Sequence, residues 1–442
     1  MVAHWRAVHA AEPANTTATQ NLAGALDARA KKNWDGGRLD EAERDYEEAV
    51  ALDSATTRVL GRFAAFLNNR AVGLLRQNRL AEARRYFERA ESCLPKLGNA
   101  PIAVEIRTNV ARSLIAEGDA LLEAQELDQA RARYQQALAR LPGDAAALAA
   151  LADLDYVTDQ YAAALQGYER AQAAAAAAGL GNLRATFEQR VDTLRKEMAI
   201  EAGFVTIRDS LGRFEASFPR ELPTGIVANV LQVLNEAWQK VGGDLDFHPR
   251  HPVRVKIYTR AQINAVQQIP PWVVGFFDGK LRLLEDRMMG GTAGLRGSIL
   301  HEYTHAAIYL MAGEAVPSWL HEGLAQLEDP SRDPTPKDAQ YLALRARTGL
   351  LAPLGEMEQP FAQNGSGDRL RLVYLQARSL VGFMIERYGW ETIRQLLRET
   401  RRRRDFEAAF KTVYGITPAE MDEHWRKTIL PSEKKNGNSA LP

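Results

Sequence analysis

The chain reads as an all-α helical repeat array followed by an α+β domain. Three observations predict this. Between about residues 20 and 200, apolar residues recur at i, i+3, i+4 and i+7, alanine is abundant and β-branched residues are sparse. Four segments of that stretch carry one alanine–aromatic–alanine spacing. From Gly203 onward, short alternating segments and turn signals take over before helical periodicity returns. A length of 442 residues exceeds what one compact core serves, which agrees with more than one domain.

The repeated segments are RLDEAERDYEEAVALDS (38–54), RLAEARRYFERAESCLP (79–95), ELDQARARYQQALARLP (126–142) and QYAAALQGYERAQAAAA (160–176). Their triplets are Ala42/Tyr46/Ala49, Ala83/Phe87/Ala90, Ala130/Tyr134/Ala137 and Ala164/Tyr168/Ala171. Alanines at these offsets let a neighbouring helix approach closely, and the aromatic fills the gap between them. The segments resemble the second helix of the tetratricopeptide repeat, whose period is about 34 residues. The alanine spacings here are 41, 47 and 34, so only the last fits the family period and the earlier repeats need longer helices or loops. The resemblance implies a solenoid over 20–200 with a concave groove for a peptide or a partner protein. Residues 1–19 are expected to be a flexible N-terminus. A last helix, about 183–200, joins the array to the second half of the chain.

In that second half, FVTIRD (204–209) and RFEASF (213–218) flank Ser210-Leu211-Gly212 as a hairpin. An amphipathic helix over about 223–241 and a strand VRVKIYT (253–259) come next. VVGFF (273–277) and KLRLL (280–284) flank Asp278-Gly279, a second hairpin. After Met289-Gly290-Gly291 the pattern is helical. The glycines 290, 291, 294 and 297 provide either a hinge or tight packing. The domain is expected over 201–430, with a disordered tail at 431–442.

Composition narrows the chemistry. Lys+Arg and Asp+Glu both number 56, so no global charge points to nucleic acid or an anionic membrane surface. The run Arg401–Arg404 lacks interleaved aromatics and reads as a solvated helix end. Cys93 is the only cysteine, which excludes an intrachain disulfide and a thiolate zinc site. No apolar run is long enough for a membrane helix. The N-terminus lacks the apolar core of a signal peptide, although Ala7–Ala11 looks like the end of a cleavage site. The expectation is therefore cytoplasmic by default, with export to the periplasm left open.

The segment GSILHEYTHAAI (297–308) carries the chemistry. His301 and His305 lie four apart and share a helix face, so both reach one zinc ion. Glu302 is turned roughly 100° away and reaches a water on that metal without ligating it. There it acts as the general base. A catalytic zinc needs a third protein ligand and an open position. Met311 stands where a metzincin places its third histidine, which excludes that form. The candidates are His321 and Glu322 in PSWLHEGLAQLED (317–329). Ser318 after Pro317 reads as the N-cap of a short helix there, which places Glu322 in the first turn.

HEYTH followed by WLHEGLA resembles the peptidase MA-like family of gluzincin zinc metallopeptidases, whose motif is His-Glu-x-x-His and then Trp-Leu-x-Glu-Gly-x-Ala. The matching residues are Trp319, Leu320, Glu322, Gly323 and Ala325. The resemblance implies a zincin-like fold, one zinc per chain held by His301, His305 and Glu322, and a peptide or protein substrate. It also implies that Tyr374, in RLVYLQARSLVGFMIERYG (371–389), stabilises the oxyanion. Tyr303 points away from the ligands in helical direction and is expected to pack. Some gluzincins place an Asp four residues after the ligand Glu. Here that position is Gln326, so Gln326, Glu328 or Asp329 must take over the support of a histidine. In zincins an edge strand above the metal binds the substrate backbone, and KLRLL or VVGFF fits that role.

The expected activity is zinc-dependent hydrolysis of a peptide bond, with the repeats recruiting protein. A non-catalytic repeat scaffold with a degenerate peptidase domain is the rival reading, and the intact Glu302 argues against it. Hydrolysis of a non-peptide amide is a third.

Overall fold

The computed structural model of the chain describes residues 1–53, 56–269, 275–285, 292–358 and 367–429. The chain falls into two compact units, Met1–Val191 and Asp192–Pro442. The expected tail at 431–442, residues 273 and 274 of the expected strand, and Gly290 and Gly291 lie outside the described residues.

The first unit is all helix. Its elements are α1 (Val2–Ala11), α2 (Thr16–Asp35), α3 (Leu39–Leu52), α4 (Thr57–Arg76), α5 (Leu80–Glu91), the single turn α6 (Leu94–Leu97), α7 (Pro101–Glu123), α8 (Leu127–Arg140), α9 (Ala145–Val157) and α10 (Tyr161–Ala177). Helix α11 (Gly181–Glu201) runs across the division between the units. The start is not a loose segment. Val2 is buried and Trp5 packs with it against Leu22 and Leu26, which gives α1 an apolar seat.

Helices α2/α3, α4/α5, α7/α8 and α9/α10 pack as successive hairpins. Each alanine–aromatic–alanine triplet lies on the second helix of a pair, and all twelve side chains are buried. The uneven spacing has a simple origin: the first helices are 20, 20 and 23 residues long in α2, α4 and α7 but 13 in α9. The one-turn α6 lengthens the second interval further. Close approach is literal at Gly118, where a Cβ would lie 2.4 Å from Tyr134 Cε1. Tyr134 donates to Asp119 Oδ1 at 2.9 Å and Tyr168 to Asp153 Oδ1 at 2.6 Å, each acceptor 15 residues earlier. The Tyr46 hydroxyl is equally buried but has no hydrogen-bond partner among the described residues.

The second unit opens with β1 (Phe204–Arg208), β2 (Phe214–Pro219), α12 (Thr224–Leu245), β3 (Val253–Tyr258), α13 (Arg260–Val266), β4 (Gly275–Phe277) and β5 (Leu281–Leu284). These strands form one sheet in the order β1-β2-β3-β5-β4. The middle pairs β2/β3 and β3/β5 are parallel, and the outer hairpins β1/β2 and β4/β5 are antiparallel. The first hairpin turns because Asp209 accepts from the N–H groups of Leu211, Arg213 and Phe214. Gly279 takes φ of 96° in the second.

Helices α14 (Thr292–Ala312), α15 (Ser318–Glu328), α16 (Pro336–Arg347), α17 (Gly367–Tyr388), α18 (Trp390–Arg403), α19 (Phe406–Tyr414) and α20 (Pro418–Ile429) complete the unit. One core joins them to the sheet. Val255, Ile257, Leu281 and Leu283 face Val230, Leu234, Leu300, Tyr303 and Ala307 of α12 and α14. Helix α18 uses its arginines as caps. Arg394 donates to the Gly243 and Asp244 carbonyls near the end of α12, and Arg401 to the Leu310 and Met311 carbonyls of α14. Arg402 and Arg403 pair with Glu399. Of the basic run, Arg401 thus serves a helix end, while Arg402 and Arg403 are held along their own helix. Among the described residues no helix is long and apolar enough to cross a membrane.

Lys240 of α12 donates to Glu328 at the end of α15, and Glu328 is 2% exposed. Lys240→Ala leaves that carboxylate buried without its cation. The Lys240 side chain is itself 43% exposed, so urea unfolding of the variant is expected to show a stability loss of about 1 kcal/mol.

Candidate metal centre

Helix α14 presents His301 and His305 to a cleft because its other face is apolar. Leu295, Ile299, Leu300, Tyr303, Ala307 and Ile308 are buried in the core, leaving the two imidazoles one turn apart on the open side. Helix α15 supplies the third group. His301 Nε2 and His305 Nε2 are 3.2 Å apart. Glu322 Oε2 lies 3.5 Å from His301 Nε2, and Glu322 Oε1 lies 3.7 Å from His305 Nε2. These three side chains are the one group of histidine, cysteine or carboxylate side chains among the described residues placed so that they could hold a metal ion. His301, His305 and Glu322 keep 15%, 19% and 15% of their side-chain surface exposed, so the cluster is reached from the cleft.

These separations suit a cation. Tetrahedral ligands at about 2.0–2.1 Å from zinc stand about 3.3–3.4 Å from one another. The Glu322 Oε2 atom is also buried with no hydrogen bond among the described residues, an expensive state for a carboxylate oxygen unless something charged meets it. Burial pushes His305 down to about 3 and His321 down to about 4, so both rings are neutral at pH 7 and present lone pairs. Burial also works against charge on His301, but Glu322 outweighs it and holds that imidazole above its usual value. Burial would raise Glu322, yet His305 and His301 hold it below the ordinary carboxylate range.

Glu302, the next residue of α14, is 5% exposed and faces the edge strand. A side chain at Gly275 of β4 would come within 2.8 Å of Glu302 Cγ, so the strand backbone lies directly against this carboxylate stem. Burial pushes Glu302 up to about 7; the His301 charge opposes this, while Glu322 and Asp329 reinforce it. Tyr374, on α17, lines the same cleft. Burial and the Glu322 and Glu302 charges push its hydroxyl well above the usual tyrosine range, so it stays a donor.

Two glycines set these distances. Gly323 brings α15 onto α17: a Cβ there would lie 2.4 Å from Val381 Cγ2 and 2.7 Å from the Ala377 carbonyl oxygen. Gly297, one turn before His301, admits the Asp329 carboxylate, whose Oδ1 would be 2.2 Å from a Cβ at that position. Gly297 therefore serves tight packing. Asp329 accepts from the N–H and hydroxyl of Ser331. It acts electrostatically on His301 and Glu302. Of the three residues considered for support of a histidine, Glu328 turns to Lys240, Gln326 lines the cleft, and Asp329 is the carboxylate beside His301.

Two local expectations are corrected. Ser318 does not N-cap α15. Its own N–H is taken by Glu358 Oε2 at 2.9 Å, so a remote carboxylate caps the helix. With the helix starting at Ser318, Glu322 lies in the second turn, beyond the strongest reach of the dipole. His321 is beside the cluster, its ring 5.7 Å from that of His305, but it is not one of the three converging groups.

The cleft above the cluster has a volume of about 870 Å³. Its walls include Gly275, Phe276 and Phe277 of β4 and the segment from Asp329 to Thr335. Beyond Asp329, sequence reasoning passed over that segment, whose Pro and Asp content signals only a loop. It also passed over Gly275, whose contact with Glu302 spans 27 positions and leaves no local trace.

Residues 235–431 match the Peptidase MA superfamily, and residues 28–97 match a tetratricopeptide repeat. The chain thus carries a domain of the Peptidase MA superfamily together with tetratricopeptide repeats. Comparison with curated proteins finds no match. Among solved structures, Pseudomonas aeruginosa pilF is similar at 19% identity over 43% of this chain and 81% of its own, with a TM-score of 0.20. At that score nothing further rests on the likeness.

Gly323→Ala puts a methyl group against a backbone carbonyl that cannot yield. The variant is expected to lose about 2 kcal/mol of stability in urea unfolding, as overpacked sites do.

Proposed function

We propose that the second unit is a zinc-dependent metallopeptidase and that the repeats bind its protein substrates or partners. The observation that carries this reading is the convergence of His301, His305 and Glu322, whose Oε2 has no hydrogen bond among the described residues, at 3.2–3.7 Å beside a buried Glu302. Zinc held there supplies Lewis-acid chemistry, polarising a carbonyl and acidifying a water.

This chain's own residues then divide the remaining tasks. Glu302 accepts a proton from the attacking water at its carboxylate and delivers it to the departing amine. Burial makes it a stronger base than an exposed carboxylate. Tyr374 donates its hydroxyl hydrogen to the oxyanion that develops on the scissile carbonyl, across the cleft from Glu322. Among the described residues edge strand β4 pairs with β5 alone, which leaves its other edge for an extended substrate backbone. The aromatic pair Phe277 and Tyr309, 5.3 Å apart, offers an apolar wall in the same cleft.

Elemental analysis of protein purified without chelators tests the metal set. The wild type is expected to carry about one zinc per chain, His305→Ala and Glu322→Ala to lose it, and His321→Ala to keep it. A wild type that binds no zinc when offered it would leave a repeat scaffold with a degenerate peptidase domain.

Glu302→Gln tests the base. The variant is expected to retain zinc while its kcat on a peptide substrate found by library screening falls at least about a hundredfold. Undiminished turnover would sink the assignment.

A further inference from the structure

Arg282 lies on β5, is 2% exposed, and has no part in the chemistry above. Its guanidinium nevertheless gathers several partners. Nη2 meets Glu197 Oε1 at 2.5 Å, Nε donates to Asp278 Oδ2 at 2.8 Å, and Nη1 donates to the Tyr258 hydroxyl at 2.9 Å. The ring of Phe276 lies 5.8 Å from the guanidinium carbon. Burying a cation this completely is costly unless such partners are assembled around it.

The partners point to a task. Phe276 is the register partner of Arg282 on β4, and Asp278 sits in the turn that joins β4 to β5. Two of the four contacts therefore grip the edge strand and its turn from behind. The opposite side of that strand faces the candidate metal centre, with Gly275 against Glu302 and Phe277 against Tyr309. Among the described residues strand β4 has three residues and one neighbour, β5, so its own ladder is a weak hold.

The balancing charge comes from elsewhere in sequence. Glu197 belongs to the last turns of α11, before the matched residues 235–431. It is 1% exposed. Nearby, Glu201 of the same helix accepts from Lys256 at 2.9 Å and from the Tyr258 hydroxyl, so α11 covers the back of the sheet with a paired polar layer.

We propose that Arg282, charge-balanced by Glu197, is the positioning residue that holds edge strand β4 against the cleft for an extended peptide backbone. The claim about the substrate rests on the metallopeptidase reading; the claim about the strand stands on the contacts alone.

The test uses the full chain as wild type, as Glu197→Met/Arg282→Met, and as Arg282→Lys. The double variant replaces a buried ion pair with apolar side chains, a change that folds tolerate better than removal of one partner. Zinc content, kcat and KM on an extended and on a truncated peptide, and amide exchange at Phe276 and Asp278, whose N–H groups face β5, are measured. The double variant is expected to keep its zinc and its kcat on the truncated peptide. Its KM for the extended peptide should rise about tenfold, and the two amides should exchange about tenfold faster. Arg282→Lys, which keeps the charge and is the safer variant for folding, should fall between the two. A folded double or Lys variant with wild-type KM and wild-type exchange overturns the proposal. A wild type without zinc or turnover overturns the metallopeptidase reading instead, and the exchange rates then decide the strand claim by themselves.

Discussion

The approach of α15 to α17 at Gly323 is the contact on which the rest of the cleft depends. It is short because there is no side chain to hold the helices apart, and both Val381 and the Ala377 carbonyl fill the space a methyl group would take. Glu322 stands one residue earlier on α15, and Tyr374 stands three residues before Ala377 on α17. The distance between a carboxylate that faces two histidines and a phenol across the cleft is therefore set by backbone contact. The same device recurs at Gly297 and Gly275, where a missing Cβ admits Asp329 on one side of α14 and leaves room for Glu302 on the other.

Electrostatics explain why these groups tolerate one another. Glu302, Glu322 and Asp329 bring three carboxylates into one poorly solvated region with two imidazoles, His305 and His321, that burial keeps neutral, and a third, His301, that Glu322 holds above its usual value. Such a set is frustrated when alone and is relieved by a divalent cation, whose charge reverses the local preferences. Away from the cleft, charge serves to fix elements. Arg394 and Arg401 satisfy the ends of α12 and α14, and Lys240 ties α12 to α15.

Much of this was legible in the residues because it is local. A helix places residues four apart on one face, so the pairing of His301 with His305 follows from spacing alone. The alanine–aromatic–alanine triplets announced the repeats because each sits within one helix. The choice between His321 and Glu322 could not be made from spacing, since adjacent residues of a short helix both point near the cleft. It entered through resemblance, and the fold turns Glu322 toward the histidines. The sheet order, the contact of Gly275 with Glu302 and the capping of α15 by Glu358 depend on segments far apart in the chain, which leave no periodic signal. Arg282 was invisible for another reason: within KLRLL it reads as the outward residue of an ordinary strand, yet its outward side is covered by α11.

The tyrosines of the array carry a last consequence. Tyr134 and Tyr168 each lock onto an aspartate of the preceding helix, Phe87 has no hydroxyl to place, and Tyr46 buries one without a partner among the described residues. In a structure whose stability accumulates from neighbour to neighbour, the two halves of the array are therefore held by different means: the last two hairpins each by a hydroxyl bound to a carboxylate, the earlier ones by the larger apolar cluster and by ion pairs such as Arg29 with Asp45 and Arg89 with Glu47. Added salt screens those ion pairs, so ionic strength loosens the beginning of the array and leaves the two hydroxyl bonds at its end in place.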